Sequence, residues 1–413
     1  MTSPIELFST NPKLRPVEPQ WIQYQGRSFV QIKDPLRLSD KTILVPEELA
    51  PLITLTDGTR DVLGLQASLL LQAGTHVTQE DVRSFITGLD DGYLLDNENY
   101  KEALASALKA YHDADNRPLS HADAVYPGKR GPLITMLNGY EKTVSDIEPL
   151  SPPGRLTGLV SPHIDFQRGG DTYARLWRRC TGLLSDLELV VILGTDHAGS
   201  PGALTLTRQN YSTPFGTLPT DCEIVNMLAN VIGEEAAFGD EIHHINEHSI
   251  ELSAVWLHRN LGKSVPIVPI LCGSFYEIVT SDHDVEKRGP LDDVINKLKE
   301  VIAKRRTLVI AAGDLSHVGP VFGDPMPIDR GGRSRLATED ARSINAINAV
   351  DAEGFLDISR TEKDSRKICG LPPIYIALKL LQGSKAESFG YSQCPADSRD
   401  ESFVSIVGSL FWD

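Results

Sequence analysis

Residues 156–166 read LTGLVSPHIDF, and the reading of this stretch decides the fold. Its apolar first half suits a buried strand, and it stops at Ser-Pro-His, where polar residues begin at once. A strand that ends there places the imidazole of His163 at the rim of a sheet. Two later stretches repeat the pattern. LELVVILGTDH ends on His197 and TLVIAAGDLSH ends on His317. Three such strands ending in histidine predict one convergent site.

Around these strands, apolar runs alternate with helical stretches from residue 156 to the C-terminus. VPIVPILCG and ESFVSIVGSLFW read as further strands. CEIVNMLANVI, EHSIELSAVWLHRNL, PLDDVINKLKEVIAKR, TEDARSINAINAV (with Thr338 as N-cap) and GLPPIYIALKLLQG read as helices. The alternation predicts a three-layer α/β/α domain with a largely parallel central sheet. Ligands of such sheets bind beyond the carboxyl ends of the strands, where the three histidines fall.

Residues 1–125 read as a separate small α+β domain with a winged-helix-like order. WIQYQGRSFVQI predicts a hairpin turning at Gln25-Gly26, and Gly74 stops the helix RDVLGLQASLLLQA. Thr78, with Asp81 three residues on, caps the next helix, and DGYLL predicts a small wing. Thr78 to Leu89, the helix that would read DNA, carries only Arg83 as a base and several acids, against a nucleic-acid role. Residues 126–155 read as a Pro/Gly-rich connecting segment over the surface, with His112 and His121 solvated.

Bulk properties narrow the partners. The 413 residues carry a net charge of −16, which disfavours duplex DNA and anionic membranes. No apolar run reaches the ~18 residues of a membrane span, and no signal peptide is recognisable. Five widely spaced cysteines without a CxxC pair point to a reducing cytoplasm rather than a disulfide framework.

Chemistry-bearing residues gather at the strand ends. Asp314 lies three residues before His317, a spacing that lets a carboxylate orient the ring. Cys369 in RKICGLPPIYIAL precedes a helix signalled by Pro372, where the helix dipole favours the thiolate. The other four cysteines read as small buried hydrophobes. His244 to His248, HINEH, fits the inverted zinc-protease signature, yet the helical pattern begins only near Glu247 and leaves His244 outside it. Glu251 and His258 read as surface or packing residues.

SPHIDF, ILGTDH, STPFGTLPTD, EHSIE, GDLSH and ICGLPPI occur in this order over residues 156–411. Together they resemble the Memo family, whose bacterial and archaeal members are called AmmeMemoRadiSam system protein B. The resemblance implies a fold similar to class III extradiol (LigB-type) dioxygenases and a mononuclear metal pocket. It implies His163, His197 and Cys369 as metal ligands, with Asp314, His317 and His248 as the catalytic pocket residues. Where extradiol dioxygenases hold Fe(II) with two histidines and a glutamate, sulfur stands third here, which speaks for iron or copper, with zinc possible, and against catechol cleavage.

Three functions follow from that resemblance. One is a redox-active pocket acting on O2 or a small organic substrate, with radical SAM and AMMECR-type proteins as pathway partners. Another is a non-catalytic pocket for a peptide or small ligand, as in the phosphotyrosine signalling linked to animal members. The third is a zinc hydrolase. The N-terminal segment resembles small PqqD-like peptide-binding domains.

Overall fold

The computed structural model describes residues 11–17, 19–145, 154–281 and 290–413. The residues read for a signal peptide and the proline-rich run 148–153 lie outside them, wholly or in large part. Two compact units divide the chain, Met1–Ala114 and Asp115–Asp413.

The first unit opens with an antiparallel sheet of β1 (Gln20–Tyr24), β2 (Arg27–Lys33) and β3 (Thr42–Pro46). The β1–β2 turn is at Gln25-Gly26, both with positive φ. Helices Val62–Ala73, Gln79–Asp91 and Glu98–Asp113 follow. Gly74 closes the first of them in the left-handed conformation. Thr78 and Asp81 form a reciprocal capping box on the second. Where a wing was expected, residues 91–95 form a turn whose one bridge joins Leu95 to Leu14.

The second unit is built on an eight-stranded sheet. Its centre is four parallel strands in the order β4 (Leu156–Ser161), β10 (Thr307–Ala312), β5 (Leu189–Thr195) and β9 (Ile267–Cys272). β6 (Leu204–Leu206) adds antiparallel at one edge, and β13 (Phe403–Trp412) at the other. β11 (His317–Val318) and β12 (Lys385–Pro395) both pair antiparallel with β13. A separate ribbon joins β7 (Tyr211–Thr213) and β8 (Gly216–Leu218).

Every residue of β5, β9 and β10 is buried, as expected for parallel strands covered by helices on both faces. Two apolar clusters, one on each face of the sheet, contain Trp177 and Trp256 on one side and Phe355 and Tyr375 on the other.

The structure corrects several expectations. The helix containing Thr338 starts nine residues earlier than a Thr338 cap would place it, as Arg330–Asn348 capped by Asp329, and Thr338 bonds its own helix at Ser334. Its early turns carry GGRSR, whose glycines conceal the helix from a propensity reading. β12 was not anticipated, because its residues are polar and only partly buried. Residues 115–145 do not run loosely over the surface. Arg117, His121 and Tyr126 are buried, and Arg130–Thr143 is a helix with Leu133 and Leu137 inside. Cys222 is exposed, whereas Cys180, Cys272 and Cys394 are buried.

Candidate metal centre

Four chain segments deliver the site. β4 ends at Ser161, and Pro162 turns the chain so that His163 points back over the sheet edge. The backbone N–H of His163 donates to Asp314 Oδ1 at 2.8 Å, and its ring Nδ1 donates to the Ala312 carbonyl at 3.0 Å. The last residue of β10 and Asp314 just after it therefore fix the tautomer and the position of the first imidazole.

His197 follows β5 by two residues. Its Nδ1 donates to Glu247 Oε2 at 3.0 Å, and its backbone N–H meets the same oxygen at 3.1 Å. Its sequence neighbour Asp196 accepts instead from His243 Nδ1 at 3.0 Å. His248 caps the helix Ser249–Leu261, and its Nδ1 lies 3.1 Å from the second oxygen of Glu247. One buried carboxylate thus orients two rings, and Ser249 N–H bonds it as well.

One ring nitrogen from each of His163, His197 and His248 lies within 4.8 Å of the others, a group that could hold a metal ion. With Nδ1 of His163 and His197 donating to oxygens and that of His248 lying beside Glu247, Nε2 is the nitrogen each ring offers. His163 is buried, while the His197 and His248 side chains keep 40% and 34% of their exposure, so the group opens to solvent on their side.

Cys369 enters from a fourth segment, one residue before the cap of the helix Leu371–Leu380. Its Sγ is 3.2 Å from His163 Nε2, and its charge favours the protonated forms of His197 and His317. Burial alone would raise this thiol, but the His163 and His317 imidazoles overcome it and hold Cys369 well below the ordinary thiol range. Burial likewise opposes charge on His163, yet Cys369 and Asp314 raise it to about 9. His248 goes the other way: burial pushes it down to about 3 despite Glu247.

His317 sits on β11, five residues past the end of β10, with its ring edge on Phe322. Its Nδ1 bonds the Leu315 carbonyl at 3.2 Å, so a main-chain oxygen sets its tautomer instead of Asp314. Asp314 faces His163, with Oδ2 3.9 Å from Nε2, and burial raises its carboxyl above the usual range.

The protease-like reading of HINEH fails on geometry. His244 belongs to the short helix His243–Asn246, which ends before Glu247 turns to extended backbone. The His244 ring is fully buried between Tyr211 Oη, at 2.6 Å, and the Thr205 carbonyl, at 3.1 Å. Glu247 orients imidazoles, so it is not placed as a base on a shared helix face. Glu251 and His258 also depart from the surface reading. Glu251 is fully buried against Arg117, and His258 is buried against Thr213.

The donor set suits a transition metal. Three neutral-capable imidazoles with oxygen-anchored Nδ1 atoms match sites for zinc, copper or iron, and an adjacent thiolate favours the softer end of that range. Sequence reasoning placed His248 in the pocket, and it missed Glu247 as the carboxylate beside both His197 and His248. The signal was present in the adjacency of Glu247 and His248.

Comparison with known proteins agrees with this architecture. The Memo-like protein family matches residues 117–410. A MEMO1 family protein of Aquifex aeolicus is 27% identical over 398 residues, 95% of this chain and 98% of its own length. That match is too long to leave out the N-terminal unit. MEMO1 family proteins of Methanopyrus kandleri and Nitrosopumilus maritimus are 28% and 25% identical, covering 62% and 70% of this chain and 82% and 96% of their own. With a family match over most of its length and the histidine cluster within that match, this chain belongs to the Memo family.

Proposed function

We propose that this Memo-family protein binds one redox-active metal ion, iron or copper, in the pocket of His163, His197, His248 and Cys369, and acts there on O2 or a small organic substrate. The observation that carries the reading is the convergence of three imidazoles with anchored Nδ1 atoms beside a depressed-pKa thiol. When bound, the metal supplies Lewis acidity and a one-electron couple. The chain supplies the rest. His163, His197 and Cys369 hold the ion, and His248 completes the donor group. Glu247 and the Ala312 carbonyl keep the rings aimed.

Opposite them, His317 holds a proton raised above its ordinary pKa, with burial opposed by Cys369 and Asp314. It delivers or takes that proton at Nε2 while Leu315 fixes Nδ1. Asp314 carries negative charge towards His163. The open side at His197 and His248 admits the substrate. Radical SAM and AMMECR-type proteins in the cytoplasm are the partners this reading carries with it.

Elemental analysis of protein purified anaerobically without added metal tests the reading. Near one equivalent of iron or copper is expected, lost in His163→Ala and in Cys369→Ala. Stoichiometric zinc with ester or amide turnover would move the assignment to a hydrolase. No metal in any preparation would leave a peptide- or ligand-binding pocket.

A further inference from the structure

Behind Glu247 and His248 lies a segment that no chemistry assigned so far uses. Residues 115–126 lead into the second unit and cross under the broken turn between the helices His243–Asn246 and Ser249–Leu261. A helix that ends in the protein interior leaves carbonyls that need donors. Here the donors come from this strap. Arg117 Nε donates to the His244 carbonyl at 2.6 Å, and Nη2 donates to the carbonyls of Ile245 at 3.1 Å and Glu247 at 2.9 Å. Ser120 Oγ also donates to Ile245. His121 Nε2 donates to the Asn246 carbonyl at 2.8 Å, and its ring meets the His248 ring edge-on at 5.7 Å.

The strap is itself pinned. Arg117 is fully buried and pairs with Glu251, which also accepts from Tyr126 Oη and from the His121 backbone N–H. Glu251 lies in the first turn of the helix that His248 caps. The guanidinium therefore ties together both sides of the turn that presents Glu247 and His248. A planar fork with five donors can serve three carbonyls and a carboxylate at once, which an ammonium cannot.

We infer that Arg117, Ser120 and His121 are positioning residues for the metal site, holding the 244–248 turn so that Glu247 can aim His197 and His248 together. The inference rests on the metal reading above. Its reach is specific: the strap acts on the His248 side of the pocket, whereas His163 is held by Asp314 and Ala312.

Anaerobic titration of the full-length protein with Co(II), read by absorption and by calorimetry, provides the test. Arg117→Met with Glu251→Gln removes the fork without leaving a buried charge alone. The double variant is expected to keep a cooperative unfolding transition and to bind Co(II) about 10- to 100-fold more weakly, the range for lost orienting partners. In a His248→Ala background the same changes should cost clearly less, since only the effect carried by Glu247 to His197 remains. Ser120→Ala with His121→Ala leaves the buried pair intact and should show a smaller loss of the same kind.

Unchanged Co(II) affinity in these variants overturns the inference. So does an equal loss in the His248→Ala background, which would mean general loosening of the fold. If Arg117→Met/Glu251→Gln does not fold, Ser120→Ala/His121→Ala decides alone, and wild-type affinity there overturns it. A wild-type protein that takes up no Co(II) removes the metal reading and this inference with it.

Discussion

Histidines at similar strand ends and turns carry different protonation behaviour because their second nitrogens meet different partners. Glu247 draws charge onto His197, overcoming burial, whereas the His244 ring nitrogens meet a hydroxyl and a carbonyl and burial, helped by Arg117 and His243, holds it down to about 3. That difference has a measurable consequence. An unfolded histidine takes up a proton near pH 6.5, while folded His244 refuses it until about pH 3. Between those values the unfolded state binds more protons, so stability falls as pH falls through the window. The slope from this one group approaches about 1.4 kcal/mol per pH unit. Urea midpoints measured from pH 7 to pH 4 should therefore decline less steeply in His244→Gln than in the wild type. Parallel declines would show that His244 is protonated in the fold.

The loops after β10 and before the helix Leu371–Leu380 meet only because both carry glycine at the contact. A Cβ on Gly370 would stand 2.5 Å from the Asp314 carbonyl oxygen, and one on Gly313 would stand 2.6 Å from Gly370 Cα. Neither glycine has positive φ, so close approach of two backbones explains the residue type, not turn geometry. This contact sets the distance from Cys369 to His163 and Asp314, together with the bond from Gly370 N–H to the Asp314 carbonyl. Gly370→Ala should force the two loops apart. A cost of about 1–3 kcal/mol is expected from overpacking. Metal uptake should fall as well, since Cys369 moves with its loop. Thermal unfolding and metal stoichiometry of the variant check both, and a variant with wild-type values would show that the loops yield without cost. At the same scale, the first turns of the helix Arg330–Asn348 escaped the sequence reading because of their glycines, and strand β12 because its residues are polar and only partly buried.

Each unit of the molecule closes its own core. The cluster of Val30, Ile32, Leu52, Leu65, Val82, Ile86 and Leu89 draws only on residues before 96, and the two clusters that cover the large sheet draw only on residues after 121. Chains of this kind unfold in more than one step. Residues 1–114 expressed alone should show a cooperative thermal transition. In the full chain, added Co(II) should raise the transition of the second unit and leave that of the first where it was, because a ligand stabilises only the unit that binds it. A fragment that melts without cooperativity would show that the first core is insufficient. No described helix is long and apolar enough to cross a membrane.

The sequence by itself determined the parallel strands at the centre of the sheet, several of the helices beside them and the residues at the strand ends, because buried parallel strands read as short apolar runs and their termini are marked by the first polar residues. It also displayed His163, His197, His317 and Cys369 as candidates before any contact was known. Only the tertiary structure decided which groups face one another. Glu247, fifty positions on, holds His197, Leu315 rather than Asp314 holds the Nδ1 of His317, and Arg117 reaches the carbonyls of residues more than a hundred positions away. Local patterning records burial and backbone period. The pairing of a side chain with a distant carbonyl or carboxylate depends on how loops from separate strands converge, and no period in the chain encodes it.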